Sequence, residues 1–302
     1  MTATLRSGRG TGIHKAVRRR ELFPLDRGLV ARMVAAAILT PLVVAAALVA
    51  LVLFAPFKIV AVVAVASALG VMAAVDERRN RPQPVELTAA RAPELHAILE
   101  RLCVVADLPK PRLVLEHEDQ PNSWVVSLGR DRSQLHVTQG LLDRLGWSEL
   151  EAVLAHELAH VAHRDAAVMT VVGGPGSVLL SGGGKITRGG GFWIFQLGGL
   201  AALAVGWLGS VGTRVLSRYR EFAADAGAVA MTGNPAALAS ALTKVSDGLV
   251  AIPRADLREA AARDAFHLLP VGERDRGLPA THPPLRARIE RLERLEAGVQ
   301  AG

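Results

Sequence analysis

Two apolar runs near the start of the chain restrict its fold more than any other feature. Met33–Phe54 has 22 residues and Ile59–Val75 has 17, and only Ala55-Pro56-Phe57-Lys58 separates them. A helix rises about 1.5 Å per residue, so the first run is long enough for a hydrocarbon layer of about 30 Å and the second sits at the short end of the range. Pro41 inside the first run is tolerable in a membrane helix. Residues 29–76 therefore read as a transmembrane hairpin. Arg18, Arg19, Arg20, Arg27 and Arg32 precede it, Arg78, Arg79, Arg81 and Arg91 follow it, and only Lys58 lies in the turn. Lys and Arg accumulate on the cytoplasmic side of membrane segments, which places both ends in the cytoplasm of a multi-pass protein of the cell membrane. Residues 1–28 form a basic cytosolic tail near anionic headgroups. They do not form a cleavable signal, because the apolar run is too long and a second one follows almost at once.

That placement also accounts for the formal net charge of +7. The basic residues cluster beside apolar spans, and there is no aromatic-interleaved basic patch, phosphate loop or zinc-knuckle spacing. The lipid bilayer, not nucleic acid, is the expected partner. Cys103 is the single cysteine, so no intrachain disulfide forms, and it reads as a small apolar residue of a helix.

The chemistry concentrates in Val153–Asp165, which contains His156-Glu157-Leu158-Ala159-His160. Helix positions four apart lie one above the other, so His156 and His160 aim two imidazoles at one point, at a separation that suits one zinc ion. Glu157 lies close enough to reach a water on that metal and is the candidate general base. Leu150, Val153, Leu154, Leu158 and Val161 give this helix an apolar side, and Ser148 with Glu151 forms a capping box at its start.

Residues 77–302 then form the catalytic domain. Pro93 opens a helix to about Ala106. Leu113–Glu116, Trp124–Leu128 and Leu135–Thr138 read as short strands. Asn234-Pro235 starts a helix through Leu249, residues 251–280 are loop-rich, and the last helix follows His282 with Leu285, Ile289, Leu292 and Leu295 as its packing stripe. The fold class expected is mainly α with a small antiparallel β-sheet, an α+β metallopeptidase domain of the gluzincin type carrying transmembrane helices. A membrane-associated or transmembrane insertion occupies about 166–213. In it Ala166–Leu180 is interrupted by Gly173-Gly174-Pro175-Gly176, and Phe192–Gly212 is a third apolar run of 21 residues. A ligand beyond Gly212 must lie on the same side of the membrane as His156 and His160, so the crossings between them number two or none. Two are favoured because the third run is long enough to span.

A zinc ion that keeps one position open for water needs a third protein ligand. Glu221 and Asp225 are four apart and share a helix face. Glu221 is the chosen ligand, with Asp225 holding a ligand histidine in its tautomer. The competing reading is a surface carboxylate pair with Arg218 and Arg220 as solvated partners. His163, one turn further along the ligand stripe, is expected to be solvated or to support the ligands.

Several stretches together resemble the HtpX-type membrane metallopeptidases, relatives of the CAAX prenyl endoproteases. They are Pro121-Asn122-Ser123-Trp124, Thr138-Gln139-Gly140-Leu141-Leu142, Glu149–Asp165, Ser217-Arg218 with Glu221 and Ala224-Asp225, and Thr281-His282-Pro283-Pro284 with Arg288-Ile289. The resemblance implies one Zn2+ on His156, His160 and Glu221, with Glu157 catalytic and the site facing the cytoplasm. Asp225, Arg218 and Arg288 would surround the ligands. Asn122, Ser123 and Trp124 resemble the edge strand that pairs with an extended substrate peptide. His282 is expected either to stabilise the oxyanion or to serve packing. Ser123-Trp124 departs from the family, where small-aromatic-small residues are common. The activity implied is hydrolysis of peptide bonds in misfolded or membrane polypeptides. The rival readings are a CAAX-type endoprotease and a non-catalytic zinc-binding scaffold.

Overall fold

A computed structural model describes residues 27–79, 85–127, 133–250 and 282–300. The basic tail before Arg27, the Arg81–Pro84 linker, the loop-rich stretch 251–280, Thr281 and Leu128 of the second expected strand lie outside the described residues.

Two long helices open the chain, α1 (Arg27–Phe54) and α2 (Phe57–Arg79). They pack against α6 (Asp165–Gly189) and α7 (Trp193–Thr232). All four are long and apolar enough to cross a membrane. Their outer faces expose Ile38 and Leu42 of α1, Val65 of α2, Val171 of α6 and Leu200 of α7, as a lipid-facing surface requires. Inside the bundle small residues let the backbones meet. A Cβ at Gly182 would overlap the Ala66 carbonyl of α2, and one at Gly206 would lie 2.9 Å from the Gly176 carbonyl of α6. Such close approach favours association where lipid offers no hydrophobic gain.

The expected break at Gly173–Gly176 does not occur. α6 runs unbroken for 25 residues, with Pro175 inside it. Apolar surroundings give a freed backbone group nowhere else to bond, so glycine is tolerated within the helix and here supplies contact surface. α7 is equally continuous. Its 40 residues reach about 60 Å, and the same helix carries both the third apolar run and Glu221. The pair leaves at Asp165 and returns to Arg220, whose Nε lies 3.0 Å from the Asp165 carboxylate. Both helices are long and apolar enough for the two crossings that the sequence reading favours.

The other layer is a four-stranded sheet in the order β1-β2-β4-β3, formed by β1 (Val85–Glu86), β2 (Arg112–Glu116), β3 (Ser123–Ser127) and β4 (Ser133–Thr138). It is mixed, not purely antiparallel. β3 pairs antiparallel with β4, and β4 pairs parallel with β2. The chain reverses between β2 and β3 and again between β3 and β4, so β4, slotted beside β2, must run in the same direction. Two-residue β1 is too short for any periodicity to reveal.

Five more helices among the described residues complete the fold: α3 (Pro93–Ala106), α4 (Gln139–Arg144), α5 (Trp147–His163), α8 (Pro235–Val250) and α9 (Leu285–Gln300). Leu95, Leu99 and Leu102 of α3, Leu150 and Leu154 of α5 and Leu242 of α8 share one core with the inner face of the sheet. Cys103 packs there too, and burial pushes its thiol up to about 11. Asn234 Oδ1 accepts the Ala237 N–H at 3.0 Å and starts α8 as expected.

The start of α5 differs from expectation. Its N-cap is Gly146, and the partner is Glu149, whose Oε2 accepts the Gly146 N–H at 2.8 Å. Glu151 instead pairs with Arg101. Glu149 also accepts from Ser240 at 2.6 Å and pairs with Lys244 at 2.7 Å, which ties the ligand helix to α8. Partial burial would raise its pKa, but Lys244, Ser240 and the Gly146 N–H outweigh burial and hold it below the ordinary 4.5. A depressed folded-state pKa adds stability that is complete above the unfolded value and is lost as pH falls through the folded value. Thermal unfolding in detergent should therefore show wild type more stable than Glu149→Gln near pH 6, with the gap closing below about pH 4.5. A gap that stays constant to pH 3 would rule out a charged Glu149 as its source.

Candidate metal centre

α5 and α7 cross where their polar faces meet. His156 and His160 bring their Nε2 atoms to 3.1 Å from each other, with the rings at 88°. Glu221 reaches in from α7, Oε2 at 3.6 Å from His156 Nε2 and Oε1 at 3.6 Å from His160 Nε2. Metal–ligand bonds of about 2.0–2.1 Å in a tetrahedron give ligand–ligand edges of about 3.3 Å, which these separations bracket.

Each imidazole is aimed by a carboxylate behind it. His156 Nδ1 lies 3.0 Å from Asp225 Oδ1, and His160 Nδ1 lies 2.6 Å from Asp165 Oδ2. These contacts favour the Nδ1–H tautomer and turn both Nε2 lone pairs inward. Two lone pairs at 3.1 Å repel unless a cation or proton lies between them. The charge count agrees. Among the described residues of the centre, Glu157, Glu221, Asp225 and Asp165 are buried carboxylates, and Arg220 and Arg288 are buried guanidiniums. With neutral imidazoles, two negative charges are left for a dication to balance. Burial alone would lower the pKa of His156, but Asp225 and Glu221 outweigh it and hold it at about 9. The cluster thus draws in positive charge, and its donor set fits a divalent metal.

Residues 89–296 match peptidase family M48. The chain belongs to that family. It is 40% identical over 231 residues to a "Protease HtpX homolog" of Moorella thermoacetica, covering 71% of this chain and 76% of that one. It is 42% identical over 217 residues to "Protease HtpX homolog 1" of Streptomyces coelicolor, covering 67% and 71%. The crystal structure of S. mikatae Ste24p overlaps 90% of this chain and 67% of its own, at a TM-score of 0.45 and 18% identity. With its four long apolar helices, this M48 member is a membrane metallopeptidase.

The structure gathers most of the residues singled out from the M48-like motifs. Arg288 of α9, fully buried, forks onto Asp225, its Nε donating to Oδ2 at 2.9 Å and Nη2 to Oδ1 at 2.6 Å, while Nη1 lies 3.3 Å from Glu221 Oε2. His282 is buried with Nδ1 at 3.7 Å from Glu221 Oε1. Ser123 donates its hydroxyl to Glu157 Oε1 at 2.7 Å. Asn122 is buried and bonded to Thr138, and Trp124 turns to the opposite sheet face and stacks on His136 at 5.0 Å. Arg218 and His163 are half-buried.

The reading of Glu221 and Asp225 as a surface pair is overturned, since they are only 3% and 1% exposed. Arg220 is no solvated partner either. It is buried against Asp165, whose role sequence reasoning also missed. Its signal was present. Arg164 ends α5 in the left-handed region, at φ 58°, and this turn swings the Asp165 side chain back to His160. An acid directly after a ligand helix stops is therefore within reach of that ligand.

Proposed function

We propose that this M48 protein is a zinc-dependent endopeptidase of the cell membrane that hydrolyses misfolded or membrane polypeptides on the cytosolic face. The observation that carries this reading is the convergence of His156, His160 and Glu221, with each imidazole backed by its own carboxylate. Two imidazoles and one carboxylate with room for water are the donor set of catalytic zinc.

When bound there, zinc supplies Lewis acidity and a water acidified toward a pKa of about 7. The chain's own groups do the rest. Glu157 accepts the proton of the attacking water and hands it to the leaving amine. Buried His282 lies beside Glu221, where an N–H donor can stabilise the developing oxyanion. β3 is one of the sheet's two edge strands, and the Thr138 N–H donates to Asn122 O across its inner side. Antiparallel alternation then turns the backbone groups of Val125 outward, where an extended peptide can pair with them.

The cytosolic placement rests on charge and on one contact. Arg32, near the start of α1, stacks over Tyr219 at 4.0 Å, two residues from Glu221. The centre therefore lies beside the chain's basic flank, and the excess of Lys and Arg there supports the cytoplasmic side for it. Glu221 follows Gly212, the end of the apolar run, by nine residues, about 13 Å along the helix. Substrates leaving the bilayer reach the centre at that height.

The test is metal analysis together with cleavage of an unfolded protein such as casein, using the purified chain in detergent. About one zinc per chain is expected. Chelation should abolish cleavage, zinc should restore it, and His160→Ala should retain little metal. Undiminished cleavage by thoroughly stripped protein would overturn the proposal.

A further inference from the structure

We propose that Ser123 is a positioning residue for Glu157, its hydroxyl holding the carboxylate of the general base from across the cleft. This rests on the role given to Glu157 above. The bond joins the first residue of β3 to the middle of α5 at 2.7 Å. Both partners are buried, Ser123 fully. A hydroxyl donating to an ionised oxygen in a dry site is among the stronger hydrogen bonds. It occupies one carboxylate oxygen and fixes a side chain that otherwise samples several rotamers. The other oxygen is then presented in one orientation for the proton it must accept.

Ser123 is itself firmly held. Its N–H donates to Asn122 Oδ1 at 2.9 Å. The Asn122 N–H donates to Thr138 Oγ1 at 2.9 Å, and the Asn122 carbonyl accepts from the Thr138 N–H at 3.1 Å. Strand alternation places Ser123 on the same face as core residue Val125 and opposite to Trp124. The β3–β4 register therefore fixes the Ser123 Cβ on the side facing α5, and the bond to Glu157 holds its hydroxyl there. A small apolar residue at this position would fill the space and leave Glu157 without this donor, so the grip on the base is a property of this chain's serine. Ser123 also begins the strand whose outer edge is assigned to the substrate. A peptide seated along β3 thus aligns against the residue that grips the base.

The experiment compares Ser123→Ala, Ser123→Thr and Glu157→Gln in one peptide-hydrolysis assay, with metal affinity by chelator competition and thermal midpoints measured alongside. Ser123→Ala should lower kcat about 10- to 100-fold, with KM, metal affinity and midpoint nearly unchanged. Ser123→Thr, which restores a hydroxyl, should recover most of the loss. Wild-type kcat in Ser123→Ala overturns the inference, as does a loss that lies in KM or metal affinity, or a normally folded threonine variant that recovers nothing. An active Glu157→Gln discards the functional reading itself. An inactive Glu157→Gln beside a fully active Ser123→Ala discards only the role of the serine.

Discussion

Glu157→Gln is expected to lower kcat for peptide hydrolysis by about 100- to 10,000-fold while leaving the bound metal in place. The amide matches the carboxylate in shape, and its oxygen can still accept the Ser123 hydroxyl now bonded at 2.7 Å. It cannot take a proton from water at neutral pH, so one step is removed and the scaffold is kept. The proposed metal ligands His156, His160 and Glu221 are untouched, and the carboxylates behind the two imidazoles, Asp225 and Asp165, contact other atoms. Metal content by elemental analysis should therefore equal that of wild type. A variant that cleaves at more than about a tenth of the normal rate would show that another group moves the proton. A variant that loses its metal would show that Glu157 supports the ligands and does not serve as the base.

The residues that converge at the centre were legible because they are written in helical spacing. Two histidines four apart and a carboxylate pair four apart each declare a face, and a face survives whatever the tertiary fold does. The capping residue of α5 was not legible. Ser148-Glu151 and Gly146-Glu149 satisfy the same spacing, and only the contacts of Glu149 with α8 select between them. The continuity of α6 was hidden for a different reason. Gly173–Gly176 breaks helices in water, whereas here Gly176 meets the backbone of α7, a contact between segments that sequence spacing does not encode. The mixed sheet required knowing that β4 inserts between β2 and β3, which no single strand reports. Arg220 and Asp165 illustrate the same limit at the centre. They lie 55 residues apart, and their pairing depends on α6 and α7 travelling out and back by equal heights. The trace of a helix face is local, and the closure of a site is not.

Removing the Arg288 side chain tests that closure directly. Arg288→Met should destabilise the folded protein by about 3–5 kcal/mol, because it leaves Asp225 and Glu221 buried without their guanidinium. Burial would lower the arginine's pKa, but Asp225 and Glu221 outweigh it, so the charge stays on through the neutral range. Metal affinity should fall as well, since Asp225 is freed to turn from His156 and the imidazole loses its aim; losses of this kind are about 10- to 100-fold. The two effects separate in Arg288→Met combined with Asp225→Asn. Neutralising Asp225 relieves part of the buried charge, so the thermal midpoint should recover in part. The amide cannot orient His156 as the carboxylate does, so metal affinity should stay low. If the midpoint does not recover at all, Arg288 acts through packing and not through the charge of Asp225. If the single variant unfolds within about 1 kcal/mol of wild type, the fork onto Asp225 contributes little, and α9 is held to the centre by its apolar stripe, in which Leu292 is buried against the core.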